Sequence, residues 1–288
     1  MKILTVACQK GGVGKSTLAI NVSAAFALMQ SFQNPEDPGR ILLIDMDKQH
    51  HSSKTMSGGV FGVVDEEDNT KPTLGKCLTG KSPLPLSAVI ESSHLPLNNE
   101  DKNLDYIPSH YSGMQEAQNF LNMDTTGRFR LLDLIQPIVS DYEYIVIDTP
   151  PDLSIMTDNA LIAATHAVVP IDLQAFSMDA LNKTLDKIEE VQSHPRFNPE
   201  LQLAGIVLTK CNLRHSEEIE WRDILVEQYG DLILSPITLR GDVHTAQTQG
   251  LDIFSYKPPR DPEAVASSNL AAQEYAQVAE EIKERIDR

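Results

Sequence analysis

Cysteine, cations and long apolar runs are all scarce in this chain, and each shortage removes a class of protein. Cys8, Cys77 and Cys211 are the only three cysteines in 288 residues; they lie far apart and form no C-x-x-C pair. That spacing suits neither a disulfide framework nor a zinc site, and it leaves no ligand pair for an iron–sulfur cluster bridging two subunits. Cys8 and Cys211 sit at the ends of apolar runs and read as small core residues of a reduced, cytoplasmic protein. No apolar stretch approaches the roughly 18 residues of a membrane span, so no membrane partner is expected. An apolar strand begins at Ile3, so no signal peptide is expected ahead of it. Lys plus Arg number 24 against 41 Asp plus Glu, a net charge of −17. Such a chain repels nucleic acid at long range, which counts against strong non-specific DNA binding by a monomer.

What the chain does have is concentrated near its start. The run Ile3-Leu4-Thr5-Val6-Ala7 is followed by Lys10-Gly11-Gly12-Val13-Gly14-Lys15-Ser16-Thr17, and residues 17–29 then carry Leu18, Val22, Ala25 and Phe26 at helical spacing. A strand feeding a glycine-rich turn and a helix is the context of a phosphate-binding loop. Its backbone N–H groups close around an oligophosphate, and the helix N-terminus adds partial positive charge. Lys15 supplies a point charge to the β- and γ-phosphates, and Ser16 supplies a hydroxyl to Mg²⁺. The common pattern wants glycine at position 9, where this chain has Gln9, and it does not ask for the extra Lys10.

With that second lysine, the loop resembles the deviant Walker A loop of the ParA/MinD superfamily of P-loop ATPases. The resemblance implies that Lys10 reaches across a nucleotide-sandwich homodimer to the phosphates of the partner subunit. It extends to the second strand, Arg40-Ile41-Leu42-Leu43-Ile44, which ends in Asp45-Met46-Asp47-Lys48-Gln49-His50-His51. The family typically has Asp-x-Asp-Pro-Gln-Gly-Asn there. Asp45, Asp47 and Gln49 match, whereas Lys48, His50 and His51 replace Pro, Gly and Asn. The implied roles are a water-orienting carboxylate for Asp47 and a supporting place near Mg²⁺ for Asp45. His50 and His51 are adjacent and would point apart, which argues against a metal pair. A third strand, Tyr144-Ile145-Val146-Ile147, ends in Asp148-Thr149-Pro150-Pro151; Asp148 in that position reads as a Walker B carboxylate holding Mg²⁺ through water.

Alternation of strands and helices along the chain predicts an α/β fold, a doubly wound and mostly parallel sheet. A single domain over residues 1–288 is expected, with a less regular insertion at about 52–105, most of it a solvated loop set. Within it, residues 73–78 read as a short helical turn facing an effector. Further expectations are a strand at 104–109, helices at about 113–123, 127–139 and 177–192, strands at 167–171, 203–209 and 231–237, and a terminal helix over 262–288.

The resemblance covers nearly the whole chain and can be narrowed. The final turns, Glu280-Glu281-Ile282-Lys283-Glu284-Arg285-Ile286-Asp287-Arg288, are acidic, unlike the basic membrane helix of MinD-like proteins. Tyr275 is the one tyrosine in the last thirty residues, where kinases of this fold carry a cluster. A partition ATPase of the ParA type remains, with ATP and Mg²⁺ as cofactors, a ParB-like centromere-binding protein and non-specific DNA as partners, and a nucleoid-associated location. The resemblance places Lys210 and Pro236 near adenine. DNA would meet a sparse basic set, Arg214, Arg240, Lys257 and Arg260. Two alternatives stay open: a ParA-like ATPase that positions a protein cargo without touching DNA, and an ATP-dependent amidoligase.

Overall fold

The computed structural model describes residues 2–59, 73–82, 85–97, 103–174, 177–258 and 269–288. Its strands are β1 (Ile3–Val6), β2 (Ile41–Asp45), β3 (Glu91–Ser92), β4 (Leu104–Ile107), β5 (Tyr144–Asp148), β6 (His166–Asp172), β7 (Gln202–Thr209) and β8 (Ile233–Leu234). Among the described residues the helices are α1 (Lys15–Gln33), α2 (His51–Met56), α3 (Leu74–Leu78), α4 (Tyr111–Met123), α5 (Arg130–Ile135), α6 (Ile155–Ala163), α7 (Ser177–Ser193), α8 (Ser216–Tyr229), α9 (Gly241–Thr248) and α10 (Leu270–Ile286).

The strands form one sheet in the order β3-β4-β2-β5-β1-β6-β7-β8, in which only the β3–β4 pair is antiparallel. Its central strands are apolar on both faces because both faces are covered. Leu4, Val6, Ile41, Leu43 and Val146 pack with α1 and α10 on one side; Ile3, Leu42, Ile44, Ile145 and Ile147 pack with α4, α5, α6 and α7 on the other. The order reverses at the centre: the chain runs from β1 outward to β4, returns to β5 beside β1, and then builds β6 to β8 on the far side. Ligands of such sheets bind at the carboxyl ends of the strands at this reversal, where the loops after β1, β2 and β5 meet. Register fixes their relation: Asp148 pairs with Val6 on one side and with Asp45 on the other.

Three expectations change in the structure. The helix expected over 127–139 is a 3₁₀ turn (Gly127–Phe129), then α5, then a second turn (Val139–Asp141). Pro137 has no amide hydrogen to extend the ladder, so α5 stops at Ile135. The strand expected over 231–237 is only Ile233–Leu234, preceded by a 3₁₀ turn and followed by a single Cys211–Thr238 bridge. The solvated insertion is more ordered than its polarity suggests. Ser52, Ser53, Thr55 and Met56 of α2 are buried, and so are Leu74, Cys77 and Leu78 of α3, which packs on α4 rather than facing outward to an effector. The acidic run at 65–68 lies outside the described residues, as does the start of the terminal helix expected at 262; α10 begins at Leu270.

One close approach ties α9 to the loop after α2. Gly250 has φ +69, and a Cβ there would overlap the backbone of Gly58 and Gly59. Gly250→Ala therefore meets both a left-handed backbone and a backbone clash. It should destabilise the fold by about 1–3 kcal/mol, read as a lowered urea midpoint at unchanged slope.

Candidate functional site

The phosphate loop occupies the crevice at the sheet reversal. Gly14 takes the left-handed conformation (φ 93) as the residue before α1, which starts at Lys15 rather than at Thr17. Gly11, Gly12, Gly14, Lys15, Ser16 and Thr17 line one side of a cavity of about 480 Å³. Asp47, Gln49, His51, Lys54 and Thr55 line another, and Pro151, Lys210, His244, Gln247 and Thr248 complete it. Val13 contributes backbone alone: its side chain is fully buried and its carbonyl accepts the Thr209 hydroxyl at 2.7 Å. Lys15 is nearly buried, and its ammonium donates to the Lys10 carbonyl at 2.9 Å. Burial lowers its pKa, while Cys8 and the nearby carboxylates of Asp148 and Asp47 favour its charge. A cation held this way is poised for an anionic ligand that neutralises it.

Across the crevice, the carboxylates divide the work. Asp45 is wholly committed to its own turn: Oδ1 accepts the Asp47 N–H at 3.0 Å, and Oδ2 accepts the N–H and hydroxyl of Ser53 at 2.9 and 2.6 Å. It is a holder of the Asp47 segment rather than a carboxylate with a free face. Asp148 accepts the Ser52 hydroxyl on Oδ2 at 2.5 Å, while its buried Oδ1 has no hydrogen-bond partner. Burial raises the pKa of both acids; Asp47 raises that of Asp45, and Asp45 and Asp47 raise that of Asp148, while the Ser52 and Ser16 hydroxyls act in the opposite direction on Asp148. Asp47 lines the cavity and is anchored by Gln49, whose N–H it accepts at 2.9 Å. His50 stands at φ 46, a conformation glycine adopts without strain, and glycine is the residue of the resembled motif.

An unpartnered Asp148 Oδ1 close to the Ser16 hydroxyl fits Mg²⁺, which binds through one or two protein oxygens plus phosphate oxygens and water. Among the described residues no three His, Cys, Asp or Glu side chains form an ion cage by themselves.

Lys10 turns away from its own loop's cavity. Its ammonium donates to Asp172 Oδ1 at 2.7 Å, Ser177 Oγ at 2.8 Å and Gln174 Oε1 at 3.0 Å, using all three protons. Lys210, held at φ 55, reaches the Gly12 carbonyl and lines the cavity. Pro236 does not; it lines a separate cleft along the β8 edge with Leu208, Arg222 and Glu281. Arg240 is ion-paired with Glu274 at 2.7 Å, Arg214 and Lys257 are exposed, and Arg260 lies outside the described residues. Sequence reasoning missed the α2 and α9 walls, because short polar segments such as Ala246-Gln247-Thr248-Gln249 carry no pattern that separates a pocket wall from a surface turn.

Comparison with known proteins agrees with this geometry. The family model described as "AAA domain" matches residues 1–203. The chromosome partitioning protein ParA of Caulobacter vibrioides (strain NA1000 / CB15N) is 30% identical over 259 residues, 89% of this chain and 87% of that protein. Among solved structures, a plasmid partition protein from Borrelia burgdorferi superposes with a TM-score of 0.71 at 22% identity, covering 99% of this chain and 98% of the other. Cobyrinic acid a,c-diamide synthase from Mycobacterium smegmatis, with ADP and magnesium, gives the same TM-score of 0.71 at 22% identity, covering 97% and 93%. The last two likenesses establish the shared fold and do not separate a partition protein from a synthase. Among the described residues no helix is long and apolar enough to cross a membrane. With the AAA-domain match over its first 203 residues and a ParA relative over most of its length, the chain belongs to the ParA family of P-loop ATPases.

Proposed function

We propose that this protein is an ATP- and Mg²⁺-dependent dimerising switch that hydrolyses ATP slowly and partitions DNA, with a ParB-like centromere-binding protein and DNA as stimulating partners. The observation that carries the reading is the division of two lysines: Lys15 points into the phosphate cavity, and Lys10 is held outside it on Asp172. One chain therefore has a complete phosphate cradle and one cation left over for a second chain. ATP phosphates would take the backbone N–H groups of residues 11–17 and the Lys15 ammonium. Mg²⁺, when bound, neutralises charge on the phosphates, and Ser16 and Asp148 would hold it. Asp47 orients water rather than taking its proton as a strong base, and slow turnover awaiting a partner follows from that.

Asp47→Ala should retain ATP binding and lower turnover by at least about 100-fold, whereas Lys15→Ala should lose binding itself. Fluorescent-nucleotide titration beside phosphate release separates the two, and near-normal turnover in Asp47→Ala would remove its assigned role.

Lys10 should act in trans. The ion pair to Asp172 would be exchanged for the partner subunit's γ-phosphate, so that dimers persist only while ATP is intact. Sedimentation with a non-hydrolysable ATP analogue should show wild type as a dimer and Lys10→Ala as a monomer. Equal dimerisation of the two would overturn the assignment.

A second reading, a ParA-like ATPase that positions a protein cargo without DNA, is favoured by the −17 charge and by the pairing of Arg240 with Glu274. Gel shifts with ATP and with ADP at two salt concentrations decide between them. Partition of DNA requires binding that depends on ATP and falls steeply with salt, as phosphate contacts do. Absence of binding in every state selects the protein cargo.

A further inference from the structure

The α9 wall of the cavity touches the phosphate loop at one side chain. Gln247 Nε2 donates to Thr17 Oγ1 at 2.7 Å, and both residues line the cavity. An amide N–H can only donate, so Thr17 Oγ1 is the acceptor and its own proton must go elsewhere. In a helix that proton usually returns to the carbonyl three or four residues earlier. For Thr17 those are Gly14, which accepts the Leu18 N–H at 2.8 Å, and Val13, which accepts the Thr209 hydroxyl at 2.7 Å; among the contacts described the Thr17 hydroxyl donates to neither. The cavity that Thr17 lines is the open direction for that proton.

We propose that Gln247 is a positioning residue for the bound nucleotide: by donating to Thr17, it aims the Thr17 hydroxyl proton at a phosphate oxygen. The inference rests on the nucleotide-binding reading above and adds a residue to it. The segment carrying Gln247 is fixed well enough for this work. Gly250 packs on the backbone of Gly58 and Gly59, and Ile253 N–H donates to Asn21 Oδ1 at 2.8 Å. Asn21 in turn donates to the Thr17 carbonyl at 2.8 Å. Residues 247–253 thus hold the first two turns of α1 at two points, one of them the phosphate-facing hydroxyl.

The direction of this hydrogen bond can be reversed without changing shape. Gln247→Ala leaves Thr17 unaimed and should weaken binding of a fluorescent ATP analogue about 3- to 10-fold. Gln247→Glu is nearly isosteric but only accepts, so it draws the Thr17 proton away from phosphate and adds negative charge; it should weaken binding further than alanine does. In the Thr17→Ala background, Gln247→Ala should have no added effect, because its action passes through the hydroxyl. Melting of the nucleotide-free variants should stay at the wild-type temperature. A purely structural contact would give the opposite pattern, with glutamate tolerated and alanine destabilising. Glutamate binding as tightly as alanine, or an alanine effect that persists without the Thr17 hydroxyl, overturns the proposal while nucleotide binding by wild type stands. Wild type that fails to bind the analogue, as Lys15→Ala is expected to fail, overturns the nucleotide reading and this one together.

Discussion

Two carboxylates buried side by side impose the conditions that the rest of the crevice satisfies. Parallel register makes Asp45 and Asp148 direct neighbours at the ends of β2 and β5, and both are almost entirely out of water. Burial and mutual repulsion favour their neutral forms, so each anion is tolerable only with donors aimed at it. Those donors come from α2: Ser53 meets Asp45, and Ser52 meets Asp148. This is why a short, serine-rich helix is buried where an exposed loop would be expected. One carboxylate oxygen, Asp148 Oδ1, is left without a partner, and a cation beside Ser16 would satisfy it. A site kept strained in this way gives up stability in the empty state to favour the occupied one.

The same logic explains what was legible in the sequence. β2 and β5 are uninterrupted apolar runs ending in aspartate, a pattern that a buried parallel strand and a charged crevice both require, and it reads directly from residues 41–45 and 144–148. The phosphate loop reads as clearly, because glycine, lysine and hydroxyl residues have fixed uses there. The α2 and α9 walls do not. Ser52, Ser53 and Gln247 are ordinary surface residues by type, and only tertiary packing buries the two serines and sets the glutamine against Thr17. Asp45 illustrates the limit: its place at the end of β2 beside Asp148 was legible, but its commitment to Asp47 and Ser53 was not. Resemblance assigns Pro236 to adenine and Arg240 to DNA, and neither assignment was legible in the residues themselves; in the structure Pro236 lines the cleft beside β8 and Arg240 pairs with Glu274.

Charge bears on the choice of cargo through particular pairs rather than through the total. Arg240 neutralises Glu274, which also accepts from the backbone and hydroxyl of Thr238, so this arginine closes a junction between α9 and α10. Arg222 pairs with Asp223 on the same helix. A phosphate backbone would have to displace such partners, and counterion release would then be offset by the acidic groups set free. Arg214 and Lys257 carry no such partner among the contacts described, so they are open to phosphate without that penalty.

Lys10 would give the proposed switch its energetic form. In the single chain its ammonium makes three hydrogen bonds, one to a carboxylate, at a site that is only partly exposed. Breaking them costs on the order of 1–3 kcal/mol, the usual net worth of charged hydrogen bonds. In the proposed dimer a γ-phosphate presented by a second chain would have to repay that cost, and a diphosphate would present less charge. The resting ion pair to Asp172 would then set a threshold that only an intact triphosphate on the partner meets. The same aspartate also accepts from Ser177 at the start of α7, so releasing Lys10 removes one of the two side-chain donors to Asp172 among the described residues. In the proposed dimer the occupancy of a partner's nucleotide site would thereby reach α7, none of whose residues lines the phosphate cavity.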